Sequence, residues 1–387
     1  MHKRILLICL MVLLVAFAVP ALAEEARDIT MECTLLAGSR KTKSRPMTDR
    51  SYSTYYELKK GGVLQAESPE EDISGVFLQF FERSNPVEIQ VEKGDAWQTV
   101  ATGEGNHLSD WFPLPEGTRK VRIVNTGKSR MFLAELTLYG QGEKPARAVQ
   151  WQDLDKADLL LVVAHPDDEL LWFGGLLPTY AGQRELRVQV AYLVPSTPRR
   201  RLELLDGLAT CGVDAYPLFG GLRDVRSDTL KGQYKLWKKN TVMTRVVEMI
   251  RKVQPEVLIT QDVNGEYGHG AHRVCADACM LAVEQAADAA KYKESAKAYG
   301  PWQVKKMYIH LYGENQLRLN WREPLPAFGG KDSFTVASEA LACHVSQVKH
   351  GWAMEEGGEM DNSLFGLYHS TVGADVLGDD LMENVFK

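Results

Sequence analysis

The stretch ADLLLVVAHPDDELLWFGG, residues 157–175, constrains this chain more than any other. Its unbroken apolar run is what a strand buried on both faces requires. The run ends abruptly in His165, Pro166, Asp167, Asp168 and Glu169. Four ionisable groups have no packing use at the tip of a buried strand, because unpaired charge is costly to bury. In parallel α/β sheets, however, ligands bind beyond the carboxyl ends of the strands, which is where such groups find work.

The texture around this run supports such a sheet. DLLLVVAH, LRVQVAYLV, AYPLFGG and EVLITQD read as strands. They alternate with the helical stretches ELLWFGGLLPTYAG, RRRLELLDGLATCG, AHRVCADACMLAVEQAADAAKY and the long amphipathic YKLWKKNTVMTRVVEMIRKVQ. This order predicts a Rossmann-like parallel sheet covered by helices on both faces over residues 157–387. Ahead of it, GVFLQFF, VEIQVE, WQTVAT, RKVRIVN and FLAELTLYG are short alternating runs between turn clusters. They predict an all-β sandwich domain over 24–140. Residues 141–156 mix Gly, Pro and charge and read as a linker.

The first 23 residues carry Lys3 and Arg4, an apolar run and Ala-Leu-Ala before Glu24, the pattern of an export signal. Its removal would take the formal charge from −6 to about −8 and leave no expected membrane span. Neither charge nor any basic block suits nucleic acid. The five remaining cysteines (33, 211, 275, 279 and 343) are too sparse and odd in number for a disulfide framework.

Pro166 keeps His165 extended and starts a turn, so the imidazole and Asp168 can converge on one point. A catalytic zinc takes three protein ligands and leaves a fourth position open. The sequence EVLITQDVNGEYGHGAHR supplies a third at another strand end, His272, with His269 one turn earlier. A closed site of His269, His272, Cys275 and Cys279 is the competing arrangement, but both cysteines fall on the apolar stripe of the helix that follows. Three acids at a helix start also complement the helix dipole, the bland alternative.

AHPDDE with the downstream GHGAH resembles the PIG-L/LmbE-type zinc-dependent N-deacetylases, over residues 157 to about 345. The resemblance implies that His165, Asp168 and His272 bind one zinc ion, with Fe²⁺ the alternative occupant of a His₂Asp set. It makes Asp167 the general base and places Tyr267 and His269 at the reaction centre. The leaving amine would take its proton from Asp167 or His269. Arg223 and Asp224, in GGLRD at another strand end, are candidate substrate contacts. Glu169 is expected to pair with an arginine or cap the helix, and His344 and Gln347 to lie on a late helix near the site. The glycine-rich HGWAMEEGGEMDNS is a candidate loop over it.

MTDRSYSTYYE and the closing LAELTLYG resemble a discoidin or F5/8 type C module, a galactose-binding-like sandwich. That resemblance implies glycan binding through exposed aromatics, with Tyr52, Tyr55, Tyr56, Trp97 and Trp111 available; core packing is their alternative role. Asp49 and Thr54 offer oxygens for a structural calcium. The expected function is an exported zinc hydrolase that removes an N-acetyl group from an amino sugar, in a glycan that can be polymeric. A non-catalytic glycan-binding protein and an amidase on a thiol–sugar conjugate are the alternatives. A nucleotide-binding Rossmann protein is excluded, since three acids stand where a phosphate turn should be.

Overall fold

The computed structural model describes residues 24–38, 40–41 and 45–386; the expected export signal at 1–23 lies outside them. Up to residue 139 the chain forms two antiparallel sheets. One orders its strands 40–41, 34–37, 63–67, 120–125, 87–93 and 96–103, and the other 56–58, 131–139, 75–80 and 109–113. Strict alternation turns Val87, Ile89 and Val91 inward from Val87–Lys93, and Val121 and Ile123 inward from Lys120–Asn125. Val87, Ile89, Val121 and Ile123 share one apolar cluster with Val76, Leu78 and Phe80 of the other sheet.

Gly75–Phe80 is buried at every residue because it is covered on both faces. Val76, Leu78 and Phe80 face the shared cluster, while Phe77 packs with Trp111, Tyr139 and Ala148. Beside Phe77, the Gln79 Nε2 donates to Asp206 Oδ1 at 3.1 Å, in a helix of the second half. Tyr52 donates to the same carboxylate, and Arg147 approaches it at 3.6 Å. The stretch expected as a linker is held down: Ala148, Val149 and Trp151 are buried. Trp151 Nε1 donates to Ser109 Oγ at 2.8 Å.

Of the aromatics suggested for glycan binding, Trp111 is core and Tyr52 is committed to Asp206. Trp97 lies under the Arg122 guanidinium, 3.8 Å from ring centroid to Cζ. Tyr55 is exposed. Asp49 and Thr54, whose oxygens are suggested for a structural calcium, engage each other in the structure. Thr54 Oγ1 donates to both Asp49 oxygens at 3.0 Å, and the Ser51 amide donates to Oδ1, so the pair forms a hydrogen-bonded turn.

The second half is a seven-stranded sheet ordered 218–219, 188–192, 159–163, 257–260, 306–310, 364–370 and 316–318. The first five strands are mutually parallel, and the last two are antiparallel additions at one edge. Leu159, Leu161 and Val163 join the cluster under helices Pro198–Thr210 and Ser333–Ala342. Leu160 and Val162 join a second cluster under Lys239–Val253 and Gly270–Gln285. Both faces are therefore covered. The expected single helix across residues 234–254 is two, Leu230–Trp237 and Lys239–Val253, broken at Lys238 with φ 62°. The break seats Trp237, whose Nε1 donates to the Arg223 carbonyl at 2.8 Å. The short helix after residue 168 is also interrupted. At Gly174 (φ 49°) an added Cβ would lie 2.7 Å from Asn362 and 2.8 Å from Trp321. Among the described residues no helix is long and apolar enough to cross a membrane, and the five cysteines are free.

Two stability predictions follow from the contact between the halves. Asp206→Ala leaves Tyr52, Gln79 and Arg147 without their shared acceptor, and should cost about 1–3 kcal/mol in urea denaturation. Glu135 is buried beside Asp206's partners, and burial pushes its pKa from 4.5 up to about 7. Between those values the folded chain keeps a proton that the unfolded chain releases, so this group's contribution falls as pH rises through that window. Glu135→Gln should therefore gain stability relative to the parent between about pH 5 and about pH 8, read from denaturation midpoints at each.

Candidate metal centre

The chain leaves strand Leu159–Val163 toward one side of the sheet and enters Val257–Thr260 on the other. This is the topological switch point, where the strand ends diverge and leave a crevice. His165 and Asp168 follow the first strand, and His269 and His272 follow the second. The structure brings these groups together: one nitrogen from each of His165 and His272 and one oxygen of Asp168 all lie within 4.8 Å of one another. Among the described residues this is the one group of three or more His, Cys, Asp or Glu side chains so placed.

Local structure orients each ligand. Asp168 opens a single helical turn, Asp168–Leu171. Its Oδ2 accepts from the His165 amide at 2.7 Å, and its Oδ1 from Trp172 Nε1 at 3.0 Å. Each oxygen keeps a lone pair free. Burial opposes ionisation of Asp168, but His272 and His165 outweigh it and hold the pKa below the usual carboxylate range.

His272 sits in the first turn of Gly270–Gln285 and is wholly buried. Its Nδ1 donates to Glu266 Oε2 at 2.8 Å, which fixes the tautomer and leaves Nε2 as an acceptor. That Nε2 is buried, has no hydrogen-bond partner, and lies 3.4 Å from Asp168 Oδ1. A buried bare nitrogen facing a carboxylate is what a cation would satisfy. The donor set therefore fits a divalent metal ion.

Glu266 is fully buried and also accepts from His310 Nδ1 at 2.8 Å and from the Asp262 amide at 3.0 Å. Burial alone would raise its pKa; the hydrogen bonds from His272 and His310 reverse this and hold it at about 2. Sequence patterning did not single out Glu266 or His310, since their roles depend on contacts across strands.

Asp167 stands beside the ligands in a left-handed conformation, φ 114°, that non-glycine residues adopt at a cost. Three contacts hold it there. Its amide donates to Glu169 Oε2 at 2.8 Å, and Arg200 Nη2 donates to its Oδ1 at 2.8 Å and to the Pro166 carbonyl. Thr197 caps the helix that presents Arg200, and Pro198 starts it. Burial pushes the Asp167 carboxyl up to about 7, against the pull of Arg200. Glu169 bonds the helix start, as expected, through the Asp167 amide, and pairs not with an arginine but with His344, whose Nε2 lies 3.1 Å from Glu169 Oε1, both fully buried.

His269 caps the same helix that carries His272: its Nδ1 accepts from the Ala271 amide at 3.1 Å. That bond places the ring proton of the neutral imidazole on Nε2. Burial and the neighbouring His272 and His165 lower its pKa to about 3. Gly270 is required here, since a Cβ would lie 2.1 Å from the Ser227 carbonyl.

A cleft of about 150 Å³ opens onto His165, Asp167, Asp168 and His269, lined also by Leu171, Trp172, Arg200, Asp224, Tyr267, Gln347 and Trp352. Asp224 Oδ1 lies 3.9 Å from His165 Nε2. Arg223 does not line the cleft; it is exposed, and its carbonyl serves Trp237. Gln347 reaches the cleft while His344 does not. Cys275 and Cys279 are buried in the apolar cluster beneath the sheet, in keeping with their place on the apolar stripe of the helix. A larger cavity of about 570 Å³ lies between helix Pro198–Thr210 and the antiparallel sheets, and contains no such ligand set.

Among the described residues, the α/β half thus carries one candidate His₂Asp metal centre, at its sheet's switch point. Residues 160–283 match the family model described as PIG-L: GlcNAc-PI de-N-acetylase, so the C-terminal half holds a domain of that family. Among relatives, the 1D-myo-inositol 2-acetamido-2-deoxy-α-D-glucopyranoside deacetylase 1 of Catenulispora acidiphila is 29% identical over 187 residues, 41% of this chain. The chain spans 57% of that protein's length. A deacetylase of the same substrate name from Rhodococcus erythropolis is 28% identical, over 49% of this chain and 81% of its own. Among solved structures, the N,N′-diacetylchitobiose deacetylase of Pyrococcus horikoshii is similar at 16% identity and a TM-score of 0.37, covering 49% of this chain and 71% of that one. A likeness that slight carries no weight.

The roles of the two neighbouring acids separate in a metal assay. His272→Ala and Asp168→Asn should each lose bound metal, measured by elemental analysis after dialysis, while Asp167→Asn should keep it. Glu266→Gln should weaken metal affinity by about 10–100-fold, since it removes the charge that orients His272.

Proposed function

We propose that this chain is a zinc-dependent hydrolase that removes the acetyl group from the 2-acetamido nitrogen of a glucosamine-type sugar. The observation that carries the reading is the bare, buried Nε2 of His272 facing Asp168, with a second carboxylate, Asp167, beside it. The family description and the relatives' names, all of which concern N-acetylglucosaminyl compounds, support the choice of substrate. His165, Asp168 and His272 would hold the ion. When bound, it supplies a Lewis acid that polarises the amide carbonyl and acidifies water.

The chain's own groups do the rest. Asp167, held by Arg200 and Glu169, takes a proton from the attacking water as the new carbon–oxygen bond forms. The Nε2–H of His269 and the hydroxyl of Tyr267 donate to the oxyanion that develops on the acetyl carbon. As the carbon–nitrogen bond breaks, Asp167 returns its proton to the leaving amine, giving acetate and the free amino sugar. His269 is the weaker choice as that acid, because its Nδ1 already accepts the Ala271 amide and a second ring proton would face that donor.

The reading extends to an exported protein, on the strength of the signal pattern at residues 1–23, and to a front half that is a discoidin-like sandwich assisting with glycan. For the front half, tethering a binding module would raise local substrate concentration on a polymer. Metal-loaded protein should release acetate from an N-acetylglucosaminyl glycoside, measured by an enzyme-coupled acetate assay. Asp167→Asn, with its metal retained, should turn over about 10²-fold more slowly or worse. Unchanged turnover in that variant would remove Asp167 from the mechanism, and no acetate from any such glycoside would overturn the reading itself.

A further inference from the structure

We propose that Tyr267, Trp352 and Trp172 form a second subsite at the mouth of the cleft, which takes the ring next to the N-acetylated sugar. The proposal rests on the deacetylase reading for what fills the cleft itself. Size makes the first argument. Pockets that enclose a drug-sized ligand measure roughly 300–1,000 Å³, whereas this cleft holds about 150 Å³. One acetamido-bearing ring would fill it, and anything attached to that ring must lie against the mouth.

The mouth is built of aromatic rings. Trp352 is 40% exposed and Tyr267 37%, and both are large apolar groups left in solvent beside a reaction centre. They belong to one assembly. Their ring centroids are 4.9 Å apart, and Trp172 lies 5.7 Å from Tyr267 and 6.0 Å from Trp352. Trp172 is buried and bonded through Nε1 to Asp168, so the platform is rooted on a candidate metal ligand.

Backbone conformation fixes the outer members. Tyr267 is held at φ 45°, between Gly265 and Gly268 at φ 67° and 77°. Trp352 stands in the segment 349–363, which Arg322 secures through Glu356 at 2.7 Å and the Asn362 amide through the Glu355 carbonyl at 3.0 Å. The left-handed backbone at Tyr267 and the anchored segment at Trp352 hold both rings at the mouth. Beside the rings, Asp224 presents a carboxylate that is 56% exposed. Aromatic faces with a polar group at their edge suit a ring that has an apolar C–H face and a hydroxyl rim, hence a pyranose or a cyclitol.

The test compares full-length, zinc-loaded protein with Trp352→Ala and Trp352→Phe. Acetate release is measured from N-acetylglucosamine, which has one ring. The two-ring probes are N,N′-diacetylchitobiose and the α-glycoside of N-acetylglucosamine with myo-inositol. Trp352→Ala should lower the ratio of kcat/KM for two rings over one by about tenfold, through KM, for at least one two-ring probe. Trp352→Phe should recover most of it. An unchanged ratio for both probes overturns the subsite, whether activity falls equally everywhere or not at all. Calorimetric titration with the same probes separates this from the reaction. If no protein releases acetate but Trp352→Ala still weakens two-ring binding, the deacetylase reading falls and the subsite stands. If acetate is released and two-ring binding ignores Trp352, the reverse holds.

Discussion

The second half depends on a carboxylate with no solvent contact. Glu266 is buried at the crevice between strands, and an isolated charge there would be prohibitive. It is tolerated because His272, His310 and the Asp262 amide all donate to it. The same bonds set the geometry of the candidate metal centre. A His272 that gives its Nδ1 proton to Glu266 must present Nε2 as a lone pair, and must present it from a ring that cannot rotate. His310 is the last residue of strand Lys306–His310, and its other nitrogen lies 3.1 Å from the Asp361 carbonyl. The position of the candidate metal ligand is thereby keyed to the neighbouring strand and to the segment leading into the antiparallel edge.

What was legible in the sequence follows from this. The strand tip at His165 could be read because an apolar run ending in charge is a local signal, and His272 because it repeats that signal at the next strand end. Glu266 and His310 carry no local signal. A glutamate in a turn and a histidine closing a strand acquire meaning only when strands 257–260 and 306–310 pair. Arg200 was hidden in the same way, as one of three consecutive arginines on a helix whose first turn happens to pass Asp167. Arg223 illustrates the converse: it lies one residue from Asp224, yet only Asp224 lines the cleft. The aromatics of the front half were likewise ambiguous, since Trp111 and Tyr55 look alike in an alternating strand pattern and differ only in what covers them.

The helix Pro198–Thr210 links the two halves to the centre. In its first turn Arg200 holds Asp167 in a conformation that residue would otherwise leave. One turn on, Glu203 accepts from the amide and hydroxyl of Ser346, next to Gln347 in the cleft. On its outer face Asp206 accepts from Tyr52 and Gln79 of the antiparallel sheets. Three neighbouring positions of one short helix thus bear on Asp167, the cleft wall and the front half. A packed helix moves as a unit more readily than it deforms. One helix therefore connects the contact at Asp206 with the residue that holds Asp167, and no residue of the front half lines the cleft. The tightly packed junction around Trp151 argues the same way. The front half is part of the scaffold that keeps Asp167 in its strained conformation, through Asp206 and the helix that carries Arg200.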